Sequence, residues 1–123
     1  MQMTYPTPTP TTFDFNATDI QGHILSDVTM PRPDGTAVIL RALELWGSRE
    51  GLAITAAANG AWEIWHINSG CCLHRAEGLR GLTTLLTAMG RTFSFNANWQ
   101  VQHVSELNAY ALGSLRELRQ YFA

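Results

Sequence analysis

The 123-residue chain has no lysine: its eight basic residues are Arg32, Arg41, Arg49, Arg75, Arg80, Arg91, Arg116 and Arg119. That absence excludes a Schiff-base amine, a lysine general base and the phosphate-binding lysine of a P-loop. Lysine acetylation and ubiquitination are excluded with them. Arginine-favouring codon usage accounts for the bias simply, and selection for escape from lysine-directed modification is the alternative. Long hydrophobic runs are also missing. No stretch approaches the roughly 18 apolar residues of a membrane-spanning helix, and Met1-Gln2-Met3-Thr4-Tyr5 lacks the basic-then-apolar order of a secretory leader. A cytoplasmic location away from membranes is expected.

Positive charge is not in excess, since ten acidic residues against eight basic ones give a formal charge of −2. Counterion release on a nucleic-acid backbone needs a basic footprint, so direct duplex binding is disfavoured. The acids are spread singly along the chain, which also disfavours an acidic DNA mimic. Cysteine is scarce: Cys71 and Cys72 are the two thiols. A bridge between neighbours in sequence demands strained geometry, so both are expected reduced, in a reducing compartment.

Hydrophobic residues make up 46 % of the chain and charged residues 15 %, the composition of a globular protein. Pro6, Pro8 and Pro10 alternate with threonine and predict a flexible, extended Pro/Thr-rich arm over residues 1–12. A single domain is expected over residues 13–123, starting with a short strand at Phe13-Asp14-Phe15. Met30-Pro31-Arg32-Pro33-Asp34-Gly35 reads as a turn or loop. Asp34 or Thr36 then caps a helix from Ala37 to about Arg49, because Ile39, Ala42, Leu43 and Trp46 recur at helical spacing.

Asn59-Gly60 between strand-like runs predicts a two-residue hairpin turn. That register pairs Ala56 with Glu63, Ile54 with Trp65 and Leu52 with Ile67, and leaves both faces apolar. A second helix is marked by Leu79, Leu82, Leu86 and Met89, with Gly90 as its stop. Residues 91–104 alternate apolar and polar side chains like a strand with one wet face of Asn96, Asn98, Gln100 and Gln102; a turn at Asn96-Ala97-Asn98 is the alternative. Ser105 caps a last helix with Leu107, Tyr110, Ala111, Leu115, Leu118 and Phe122 inward. The sum is an α+β domain, with about three helices on one face of a mainly antiparallel sheet built round the Asn-Gly hairpin.

His66, Cys71, Cys72 and His74 lie close in sequence and carry zinc-binding chemistry, but adjacent cysteines on an extended segment point apart, so no metal site and no cofactor are expected. The same four residues make a candidate thiol nucleophile and base, with Glu63 or Glu77 to orient the imidazole; the plain reading of each buried cysteine is a small hydrophobe. Catalytic signatures of hydrolases, metalloproteases and dinucleotide enzymes are missing.

Four tryptophans are the more informative feature. Trp46 and Trp65 are expected in the core. Trp62, His66, Arg75, Arg80 and Trp99 are the candidate partner-binding residues, since aromatic rings and arginine mark interface centres. The first expectation is therefore a non-catalytic protein-interaction module, an inhibitor or adaptor. By analogy of size alone, it has the form of phage and mobile-element products that block host enzymes or defence complexes. A small thiol-dependent enzyme and a small-ligand-binding protein are the alternatives; carbohydrate binding on the wet face and a homodimer covering Trp62 and Ile64 also stay open.

Overall fold

A computed structural model describes residues 18–19, 23–56, 61–76 and 82–121, with side chains from Leu25 onward. The element order is β1 (Thr18–Asp19), β2 (His23–Ile24), β3 (Ser26–Pro31), β4 (Ala37–Glu44), β5 (Leu52–Ala56), β6 (Trp62–His66), β7 (Cys71–Ala76), α1 (Leu82–Thr92) and α2 (Ala109–Tyr121). β1 and β2 pair with each other, and β3 to β7 form an antiparallel five-stranded sheet in sequence order. The class is α+β. The Pro/Thr arm, the Phe13–Phe15 strand and the Asn59-Gly60 turn lie outside the described residues.

α1 and α2 cover one face of the sheet. Leu52, Ile54, Ile64 and Leu73 of the strands meet Leu82, Leu85, Met89, Leu115 and Leu118 of the helices, with Trp99 and Leu107 completing that core. Burying a side chain of this size contributes about 1.5–3 kcal/mol, so this layer is the main source of stability. The opposite face carries a second core of Val28, Met30, Val38, Ala42, Ala53, Trp65 and Cys72. β4 joins β5 only at Leu43 and Glu44 while its earlier residues pair with β3. The β3–β4 hairpin therefore folds over that second face, and its Pro31 carbonyl comes against Gly70 in the β6–β7 turn. Gly70 has φ +69°; a side chain there would meet both backbone strain and the Pro31 carbonyl.

Three expectations are corrected. The helix placed over residues 37–49 is strand β4 followed by a single 3-10 turn, Gly47–Arg49. Val38 and Ala42 are buried and Leu40 half-buried, while Ala37, Ile39 and Arg41 are exposed, a period of two that the β-branched Val38-Ile39 pair also favours. Asp34 closes the preceding loop instead of capping a helix, accepting the Thr36 N–H at 2.9 Å. Two α-helices, not three, stand among the described residues.

The strand placed over residues 91–104 does not form. α1 runs through Gly90 to Thr92, and the rest is irregular up to a 3-10 turn at Val104–Glu106. Its polar side chains bond backbone groups that a ladder would have used: Ser94 Oγ accepts from Asn96 N–H, and Asn98 Oδ1 accepts from Asn108 N–H. Short polar residues compete with regular structure in this way.

The β5–β6 register is also one residue from the expected one. Leu52 faces His66, Ile54 faces Ile64 and Ala56 faces Trp62. A slip of one exchanges the faces, so Ile54 shares its face with Ile64 and His66, and Trp65 joins Ala53 on the other.

Candidate functional site

The residues singled out from sequence separate into buried and surface groups. His66 is fully buried and Trp99 is 1 % exposed. The Trp99 ring stacks on Phe93 with centroids 5.2 Å apart, so neither residue offers a face to a partner. Trp62 is half-buried against the helical core. Arg75 on β7 meets Glu63 directly across on β6, with its guanidinium 3.0 Å from the carboxylate. Arg80 and Glu77 lie outside the described residues. Of the four candidate contact residues among the described ones, His66 and Trp99 are buried, Trp62 is half-buried and Arg75 is exposed.

Of the thiol candidates, Cys72 is held in its protonated form. Cys71 and Cys72 are both buried, and neither is in a disulfide. Burial, with Glu63 nearby, pushes the Cys72 thiol up to about 12, leaving essentially no thiolate at neutral pH. Its Sγ–H donates to the His74 carbonyl at 3.6 Å. His74 is held below the usual histidine range by burial and by Arg119.

His66 has a structural task. Its Nε2 lies 2.8 Å from the Trp99 carbonyl and its Nδ1 2.7 Å from Ser69 Oγ. A carbonyl only accepts, so Nε2 carries the proton and Nδ1 accepts from the serine hydroxyl. Burial pushes the pKa of His66 down and keeps the ring neutral, which this tautomer requires. Asn68 Nδ2–H, in the β6–β7 turn, reaches the Gln100 carbonyl at 3.0 Å and the Val101 carbonyl at 3.3 Å. Gly51 closes the same contact from the other side: with φ +105°, its Cβ position would stand 2.7 Å from the Trp99 oxygen. The irregular segment over residues 95–102 is thereby pinned to the sheet from two sides.

That pinned segment and the β4–β5 loop enclose two open hollows of about 460 and 420 Å³ that share Glu50 and Gln100 and so make one groove. Phe95, Asn98 and Ser48 line one end, and Trp46, Glu44 and Gln102 the other. Trp46 is 68 % exposed and Phe95 87 % exposed. Asn108 steadies the Phe95 end, donating from Nδ2 to the Asn96 carbonyl at 2.9 Å while its Oδ1 accepts the Ala111 N–H at the start of α2.

Sequence reasoning missed this site because the helical reading of residues 37–49 turned Trp46 inward. The signal was present in Trp46-Gly47-Ser48, where a turn dipeptide follows the ring. Asn98, Gln100 and Gln102, expected on a wet strand face, do line the groove, on irregular backbone. No protein-family model, curated protein or solved structure matches the chain.

Proposed function

We propose that the chain is a non-catalytic protein-interaction module, an inhibitor or adaptor, that docks on a protein partner through the groove between the β4–β5 loop and residues 95–102. The observation supporting this reading is the exposure of Trp46 and Phe95 at one groove. Two large rings held in water on a pinned frame lose apolar stabilisation that a partner restores on binding. Rigid aromatic anchors beside amide groups are also what interface centres use. A thiol enzyme draws no support from thiols that are buried and, at Cys72, strongly protonated.

The test is affinity capture from the host lysate with the intact chain and with folded Trp46→Ala, Phe95→Ala and Cys72→Ala variants. A stoichiometric partner kept by the wild type and Cys72→Ala but lost from both ring variants is the expected result. A partner retained by both ring variants contradicts the proposal.

A further inference from the structure

Resting on that reading, we propose that the groove receives a cationic peptide segment of the partner, one carrying arginine or lysine. The lining charges are Glu44 and Glu50; neither hollow is lined by arginine or histidine, and the chain has no lysine. Both residues are half-buried. Among the described residues the salt bridges are Arg41 with Asp27 and Arg75 with Glu63, so neither groove carboxylate is neutralised there. An arriving cation gains Coulomb attraction from both carboxylates.

The neutral part of the groove suits the same occupant. The exposed rings of Trp46 and Phe95 are open to a guanidinium or ammonium, and the amides of Asn98, Gln100 and Gln102 can bond peptide backbone. Other occupants fit less well. A second copy docked by a twofold axis would bring Glu44 and Glu50 against their own equivalents. A neutral sugar would stack on the rings but leave the carboxylates without a counter-charge, and a nucleic-acid backbone would be repelled.

The probe is a random twelve-residue peptide pool, selected on the immobilised intact chain and, in parallel, on a folded Trp46→Ala/Phe95→Ala variant. Peptides enriched on the wild type over the ring variant are expected to carry arginine or lysine. The best of them is then expected to lose at least tenfold in affinity on Glu44→Gln/Glu50→Gln, on replacement of its arginines by citrulline, and between 50 and 500 mM salt. Enriched peptides without cations, bound equally by Glu44→Gln/Glu50→Gln, overturn the cationic inference while leaving the docking groove standing. No enrichment over the ring variant overturns both. A concentration-dependent dimer abolished by Trp46→Ala, or ring-dependent glycan binding, assigns the groove to another occupant and overturns the inference as well.

Discussion

His66→Leu is the sharpest probe of the frame that holds the groove. The substitution nearly conserves volume and removes two hydrogen bonds, to the Trp99 carbonyl and to Ser69. Each bond is worth about 0.5–1.5 kcal/mol net, and a buried polar group left without a partner adds about 1–3 kcal/mol. Ser69 retains contact with the Cys71 N–H, so the penalty falls mainly on the Trp99 carbonyl, and the expected loss is about 2–4 kcal/mol. For a chain of this length that corresponds to a Tm lower by roughly 8–16 °C.

The pH dependence supplies an independent check. Burial lowers the His66 pKa in the folded state from its ordinary 6.5. The unfolded chain therefore binds more protons below that value, and the stabilisation is complete above about pH 6.5 and lost as pH falls toward the native pKa. His74 is shifted the same way, so the His66 share is the part of the slope that disappears in His66→Leu. Urea unfolding at pH 8, 7, 6 and 5 measures both quantities. A loss under about 0.5 kcal/mol, or a slope unchanged by the substitution, would refute the assigned role of His66.

Gly51→Ala should cost more than about 2 kcal/mol in the same urea assay, because its left-handed φ and the Trp99 oxygen 2.7 Å away both oppose a side chain. Gly70→Ala should yield little folded protein by circular dichroism, since the Pro31 carbonyl is backbone and cannot step aside. Native Cys72 should react with a disulfide reagent at pH 8 at least 100-fold more slowly than in 8 M urea, and a fast native reaction would contradict its burial and raised pKa.

The legible parts of the fold were those where local pattern and tertiary packing agree. Leu82, Leu86 and Met89 marked α1, and Leu115 with Leu118 marked α2, because a helix closes its own hydrogen bonds and shows its apolar face at fixed spacing. The pairing of β5 with β6 was read as well, but not its register, in which Ile54 stands opposite Ile64. β4 misled because Ile39 and Leu43 match a helical stripe as well as a strand, and exposed Ile39 hid the period of two. Residues 91–104 misled in the opposite direction: alternation needs a neighbouring strand, and here the asparagine and serine side chains took the backbone bonds. The site was missed for the same reasons, since both groove walls are these two misread segments.

Amide exchange by NMR on the isotope-labelled intact chain, with and without the captured partner, tests the docking groove most directly. Protection and shift changes confined to residues 44–51, 67–68 and 95–102 are the predicted footprint. A footprint centred on residues 71–76 or on the outer face of α2, with residues 44–51 and 95–102 unchanged, would contradict it.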